Sequence, residues 1–342
     1  MGSIQTTALA LVLAAYAALW APGAARAPKP KPAQTPRGDV VIVANQRDAT
    51  VHLVEAATGR RLARIPTPPG PHEVAVSGDG RWAVVSIYGD RETVGSSLLV
   101  VDVEKLAAAR TIQLESYRRP HDLAFLPGDS VLAVTAEADR AVLLVDFASG
   151  RVRRVLPTGQ PLSHTLALGP GARRIYTANV AAGNASEIDA ETGEVVRTYA
   201  AGPGSEGIAV TPDGSQLWVS SLAAGTVSVF DLRSGDVVAT LPTPGHPYRV
   251  AITPDGRRAL VPAPMQDRLR IFDVATREET VVPIPGGPGG ARVSPDGKTA
   301  YLPLNGASGI AVVDLESSTL LRTLPAGEGP DGIGVSGFFR GR

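Results

Sequence analysis

Three of the five histidines in this 342-residue chain hold the same place in neighbouring segments of similar sequence. The segments are GPHEVAV (70–76), RPHDLAF (119–125) and LSHTLAL (162–168). Imidazole nitrogens bind zinc, copper and iron at about 2 Å, and Glu206 holds the matching place in the next segment. If the segments lie side by side, one divalent ion (Zn, Cu or Fe) can be bound. The predicted metal ligands are His72, His121, His164 and Glu206.

These histidines also have a simpler interpretation. Each follows a proline or a serine beside a turn, where solvent-exposed polar residues are tolerated and duplication would copy the residue type. In that case the imidazoles are solvated turn residues with no ligand. The sequence leaves both interpretations open.

Further polar and aromatic residues fall near the same positions. One repeat contains an insertion, IYGDRETVGSS (87–97), and loops on a rigid scaffold often carry function. Arginine beside aromatic residues suits an acidic or cyclic ligand, although an ordinary solvated loop is an equal alternative. The candidate ligand-binding residues are Tyr88, Arg91, Tyr117, Arg118, Arg119, His246, Tyr248, Arg249, Arg292 and Asp331.

The histidine segments belong to a repeat that runs through the chain. The residue three places after each histidine, and its equivalents, fall at Ala75, Ala124, Ala167, Ala209, Ala251, Arg292 and Gly334, in steps of 49, 43, 42, 42, 41 and 42 residues. A turn follows several of these positions: SGDG (77–80), TPDG (211–214 and 253–256) and SPDG (294–297). In such turns aspartate bonds the backbone and glycine supplies a positive φ.

Each repeat predicts four short antiparallel strands, and seven such units are typical of a β-propeller. The chain starts with a second strand, DVVIVANQRD (39–48), and ends with a first strand, GPDGIGVSG (329–337). We therefore predict an all-β, seven-bladed propeller over residues 39–342, closed by pairing of the N- and C-terminal strands so that no sheet edge stays open.

The second strands contain IVAN (42–45), YTAN (176–179) and WVSS (218–221). With the turns above, these resemble the YVTN-repeat, YncE-like seven-bladed propellers, which are related in fold to the haem d1 domain of cytochrome cd1. The resemblance covers residues 39–337. It implies an exported protein. Relatives in fold include proteins linked to haem, copper or quinones, and lactonases. Their activities cannot be assigned to this chain without matching residues.

The N-terminus predicts export. Residues 8–20, ALALVLAAYAALW, form an apolar core followed by small residues, as in a secretory signal peptide. We assign residues 1–27 to the signal peptide and 28–38 to a proline-rich linker. The expected location is the periplasm, the cell surface or the medium, with no membrane span after cleavage; an uncleaved anchor is the alternative.

Composition excludes several classes of site. The chain has no cysteine, so disulfides, thiolate metal sites and covalently attached c-type haem are ruled out. Basic and acidic residues balance at 33 each, which gives little attraction for phosphate, so we expect no nucleic-acid partner. We expect a monomer.

The sequence is compatible with two different kinds of function. The first is a binding or interaction module that takes an unknown small ligand or protein partner through its top face and central channel. The second is a metal- or cofactor-dependent enzyme, a lactonase-like hydrolase or an oxidoreductase accessory, that uses the histidines. Catalytic and cofactor-binding residues are not identifiable, since no nucleophile motif is present.

Overall fold

The computed structural model describes residues 37–340. Within this range the regular structure consists of strands and three single-turn 3-10 helices, Glu137–Asp139, Pro170–Ala172 and Pro264–Gln266. The strands form seven four-stranded antiparallel sheets, so the predicted all-β propeller is confirmed. The predicted signal peptide and residues 28–36 of the predicted linker lie outside the described residues.

Blade 1 is assembled from both ends of the chain. Its outer three strands are β1 (Gly38–Asn45), β2 (Thr50–Glu55) and β3 (Arg61–Pro66), and its innermost strand is the last one, β28 (Pro330–Phe339). Strands β1 and β28 pair antiparallel, with Val41 opposite Val335 and Val43 opposite Ile333. The predicted closure of the ring is therefore confirmed.

The other six blades follow in chain order, each with its first strand innermost. Blade 2 contains β4 (Pro71–Val76), β5 (Trp82–Gly89), β6 (Val94–Asp102) and β7 (Ala107–Gln113). Blade 3 contains β8 (Pro120–Phe125), β9 (Val131–Ala136), β10 (Ala141–Asp146) and β11 (Val152–Pro157). Blade 4 contains β12 (Ser163–Leu168), β13 (Arg174–Asn179), β14 (Asn184–Asp189) and β15 (Val195–Ala200). Blade 5 contains β16 (Ser205–Val210), β17 (Gln216–Ser221), β18 (Thr226–Asp231) and β19 (Val237–Pro242). Blade 6 contains β20 (Ala251–Ile252), β21 (Arg258–Ala263), β22 (Arg268–Asp273) and β23 (Glu279–Pro283). Blade 7 contains β24 (Arg292–Val293), β25 (Thr299–Leu304), β26 (Gly309–Asp314) and β27 (Thr319–Pro325).

The turn between the first and second strands has the same chemistry in four blades. In the TPDG turn of blade 5, Asp213 Oδ1 accepts hydrogen bonds from the Ser215 N–H at 3.0 Å and the Thr211 hydroxyl at 2.6 Å. Gly214 has φ +72°, a left-handed conformation that glycine adopts without strain. The same aspartate contacts recur at Asp79, Asp255 and Asp296. These turns fix where each inner strand ends.

The hydrophobic core lies between neighbouring blades. Strand side chains alternate between the two faces of a sheet, and each face packs against the next blade. One buried cluster joins Val84 and Leu98 of blade 2 to Leu123, Leu132 and Val134 of blade 3. Since each sheet is packed on both faces, the inner strand ends are held rigidly around the channel.

A buried hydroxyl on the second strand links neighbouring blades near the channel. Thr135 accepts a hydrogen bond from the Asp122 N–H at 2.9 Å and donates one to the His164 carbonyl of the next blade at 2.8 Å. Ser86 makes the equivalent bonds to the Glu73 N–H and the His121 carbonyl. Ser220 does so for Gly207 and Tyr248. These bonds set the inner-strand backbone at the level of the histidines.

Within the described part of the chain, no helical segment combines the length and the apolar character that crossing a membrane requires.

Candidate functional site

The three predicted histidines meet at one mouth of the channel. We call this side the top face; it carries the connections between second and third strands. The ring centroids of His72 and His121 lie 4.2 Å apart, and those of His121 and His164 lie 3.5 Å apart. His121 is 0% exposed and the other two are half-buried. The alternative expectation of solvent-exposed turn residues is therefore wrong, because the inner strands hold these side chains inside the channel mouth.

His121 has no hydrogen-bond partner. Neither Nδ1 nor Nε2 of this buried ring is bonded to any described residue. Burial lowers the pKa of His121 well below its ordinary value, and the neighbouring His164, His72 and Arg249 act in the same direction. The ring is therefore neutral, and one of its nitrogens has a free lone pair.

His164, in contrast, has a carboxylate partner at each ring nitrogen. Its Nδ1 is hydrogen-bonded to Glu137 Oε1, and its Nε2 lies 2.8 Å from Glu206 Oε1. Burial works against the charged ring, but these two carboxylates raise the pKa of His164 to about 9. Burial likewise opposes ionisation of Glu206. The hydrogen bonds and charges of His164 and Arg249 nevertheless lower the pKa of Glu206 to about 2. His164 is therefore an imidazolium held between two carboxylates at neutral pH.

Two groups of possible metal ligands share His121. In each group, one ligand atom from each of three residues lies within 4.8 Å of the others: His72, Glu73 and His121 in one, and His121, Glu137 and His164 in the other. Glu206 belongs to neither group, since it is engaged by His164 and Arg249. The structure thus brings the three predicted histidines together with Glu206 beside His164, and adds Glu73 and Glu137 as possible ligands.

Arg249 is the central buried cation of the channel. Its Nη2 lies 2.7 Å from Glu73 Oε1 and its Nη1 lies 2.6 Å from Glu206 Oε1. The guanidinium carbon also lies 4.5 Å from the ring centroid of Tyr248. Burial raises the pKa of a carboxyl, yet the charge of Arg249 leaves the pKa of Glu73 below its usual value.

Two further carboxyls at the channel have the opposite shift. Burial raises the pKa of Asp122, and the charge of Glu73 adds to it. Burial also raises the pKa of Asp331 despite His72 beside it. Asp331 Oδ2 accepts a hydrogen bond from Gln46 at 2.7 Å and lies 3.2 Å from His72 Nδ1, although that histidine nitrogen makes no hydrogen bond. Burial therefore favours the uncharged form of both carboxyls.

A cavity of about 640 Å³ opens above the histidines on the top face. His72 lines it, together with Tyr88 and Arg91 of the inserted hairpin and Arg119 of blade 3. The insertion extends strands β5 and β6 into a longer hairpin, in which Gly89 pairs with Val94. The Arg119 guanidinium lies 4.8 Å from the Tyr88 ring centroid. Tyr88 in turn donates its hydroxyl to Glu137, so the hairpin is connected to the histidine cluster.

The remaining candidate residues lie apart from this cavity lining. Tyr117 packs against the core between blades 2 and 3, and Arg118 and His246 are exposed. Arg292 lies deeper: it donates to the Ile333 carbonyl at 3.1 Å and lines a second cavity, of about 550 Å³, bounded by turns on the opposite face. A cavity of only about 50 Å³, lined by Arg249 and Arg292 among others, lies within the channel.

Sequence reasoning missed the residue that follows each second strand. In blade 3 this is Glu137, which binds His164 and Tyr88, and in blade 1 it is Gln46, which binds Asp331. Blades 4 and 5 carry Val180 and Leu222 there. The available signal was an acidic residue at a position where blades 4 and 5 have an apolar one.

The comparisons with known proteins concern the fold. Residues 97–240 match a family model described as a YNCE-like beta-propeller. The resemblance drawn from the second-strand and turn motifs is thereby confirmed. No curated protein matches the chain at a significant level.

Two solved structures have a similar fold. A functionally unknown protein from Desulfotomaculum acetoxidans has a TM-score of 0.72 and 14% identity, covering 87% of this chain and 98% of its own. The hydrazine synthase of Kuenenia stuttgartiensis has a TM-score of 0.67 and 20% identity, covering 78% of this chain and 90% of the matched chain. At such identities the similarity shows the fold alone.

Proposed function

We propose that this propeller is a binding protein that takes a small anionic molecule into the cavity of its top face. The observation that carries this proposal is the set of guanidinium groups around the cavity, from Arg47, Arg91 and Arg119. Asp90 contributes the one carboxylate among the described lining residues. The cavity wall therefore has an excess of positive charge.

The size and shape of the cavity support a small ligand. Ligand sites commonly have volumes of about 300–1,000 Å³, and this cavity measures about 640 Å³. Arg91 is exposed and makes no hydrogen bond or ion pair to any described residue. Its planar set of donors fits a carboxylate or phosphate in a bidentate manner.

The two other arginines are already oriented. Arg119 donates to the Asp90 carbonyl at 3.0 Å and stacks on Tyr88, and Arg47 donates to the Asn305 carbonyl at 2.9 Å. Because these side chains are held in place, less rotamer entropy is lost when a ligand binds.

The test is ligand-induced thermal stabilisation of chelator-treated protein. The probes are succinate, benzoate and inorganic phosphate, each titrated separately. A bound anion at 100 times its Kd stabilises the folded state by about 2.7 kcal/mol. We expect at least one probe to raise the Tm of the wild type, and Arg91→Gln and Arg119→Gln to weaken the effect.

Arg233→Gln serves as the matched control, because Arg233 is an exposed arginine in a blade 5 turn outside the cavity. It should respond as the wild type does. If no probe stabilises the wild type, or if the cavity variants respond fully, the proposal is wrong.

A further inference from the structure

We propose that His72, Glu73 and His121 are the protein ligands of a divalent transition-metal ion at the base of the top cavity. This site goes beyond the proposed anion binding and does not depend on it.

The three side chains converge. One ligand atom from each of the three residues lies within 4.8 Å of the other two. Atoms bound to one Zn²⁺ at about 2.0–2.2 Å are at most about 4.4 Å apart. Side-chain rotations that move these atoms by less than about 1 Å would therefore place all three around one ion.

The imidazoles point to an ion independently of the carboxylate. His121 is fully buried, and both of its ring nitrogens lack a hydrogen-bond partner within residues 37–340. The ring of His72 lies 4.2 Å away. Buried polar atoms are nearly always hydrogen-bonded, so the unpartnered nitrogens of His121 need an explanation. A metal ion bound to one of these nitrogens supplies a partner.

The surroundings of the three side chains also fit a metal site. A metal-binding histidine usually has a carboxylate near its other ring nitrogen, which orients the ring. Asp331 Oδ2 lies 3.2 Å from Nδ1 of His72 and is itself held by Gln46, which leaves Nε2 for the ion. Glu73 is fixed through Oε1 by two nitrogens of Arg249, at 2.7 and 3.2 Å.

The second ligand group is a weaker candidate. Glu137 and His164 are already hydrogen-bonded to each other, and both have a further partner, Tyr88 and Glu206 respectively. An ion there would have to break these contacts. In the group around Glu73, the imidazole nitrogens have no bond to break.

The donor types indicate the kind of ion. Two imidazoles and one carboxylate suit zinc, copper or iron rather than calcium or magnesium, which prefer oxygen ligands. Three protein ligands also leave a coordination position open. Since His72 lines the top cavity, that position would be reachable from it.

The experiment is a titration of the metal alone. Full-length protein without a polyhistidine tag is treated with chelator, and Zn²⁺ binding is measured by calorimetry with elemental analysis after dialysis. We expect one equivalent per chain. His72→Gln and His121→Gln should each weaken Zn²⁺ binding by about 100-fold or more, since even an outer partner of a ligand is worth 10–100-fold.

The controls use the other histidines and the other ligand group. His246→Asn changes an exposed histidine, and His52→Gln changes a buried one on strand β2 with an unpartnered Nε2. Both should bind as the wild type does, as should Glu137→Gln. His72→Gln keeps the test valid if His121→Gln does not fold, because His72 is only half-buried.

Three results would overturn the site: no bound Zn²⁺ in the wild type, unchanged binding in folded His72→Gln, or loss of binding in Glu137→Gln while His72→Gln still binds. Since no anion is added, failure here leaves the anion proposal untouched.

Discussion

The hydroxyl of Thr135 should contribute measurably to stability, and Thr135→Val tests this. The side chain is fully buried. It accepts from the Asp122 N–H at 2.9 Å and donates to the His164 carbonyl at 2.8 Å. Valine has nearly the same shape but can do neither. The substitution therefore leaves one buried backbone donor and one buried backbone acceptor without this partner.

The expected loss follows from those two groups. An unsatisfied buried polar group costs about 1–3 kcal/mol, and the added methyl group returns about 0.8 kcal/mol by burial. The free energy of unfolding should thus fall by about 3 kcal/mol. In a domain of this size each kcal/mol corresponds to about 2 °C, so Tm should fall by about 6 °C.

Urea unfolding followed by circular dichroism measures this change, with calorimetry for the Tm. The matched control is Thr111→Val, because Thr111 is exposed on strand β7; it should alter stability by less than about 0.5 kcal/mol. If Thr135→Val unfolds like the control, the Thr135 hydroxyl does not stabilise the contact between blades 3 and 4.

Two further predictions concern the ring and its buried charge. Deletion of residues 329–342 removes the inner strand of blade 1, so cooperative thermal unfolding should be lost; an unchanged melting curve would contradict the closure. The pKa of His164 is raised from 6.5 to about 9, so its stabilisation is complete below pH 6.5 and disappears as the pH rises through 9. In chelator-treated protein the stability difference between wild type and His164→Gln should shrink by about 3 kcal/mol over that interval, and a pH-independent difference would refute the charged ring.

The fold could be predicted because its signals are local and repeated. A TPDG turn such as 211–214 encodes its own hydrogen bonds, since Asp213 and Gly214 act within four residues. Seven copies of a unit that cannot bury both faces alone then require a ring. Closure also followed from the ends, because β1 lacked a partner that β28 supplies.

The site was only partly predictable because it is assembled across blades. Equivalent positions on inner strands placed His72, His121 and His164 together correctly. Their burial could not be read from the sequence, because it depends on how closely the inner strands approach around the channel. Glu137 was missed for the same reason: it comes from a different strand connection, and its contact with His164 spans 27 residues.

The fold itself does not require an imidazole at the position of His121. The equivalent position in blade 7 is Gly289, and blades 5 and 6 carry Glu206 and Tyr248, so the ring closes with very different side chains there. Yet His121 buries two unpartnered nitrogens, which opposes folding. A residue that destabilises the apo protein and is not needed for packing is most simply explained by a bound partner. One of these unpartnered nitrogens is the atom that a metal ion would bind.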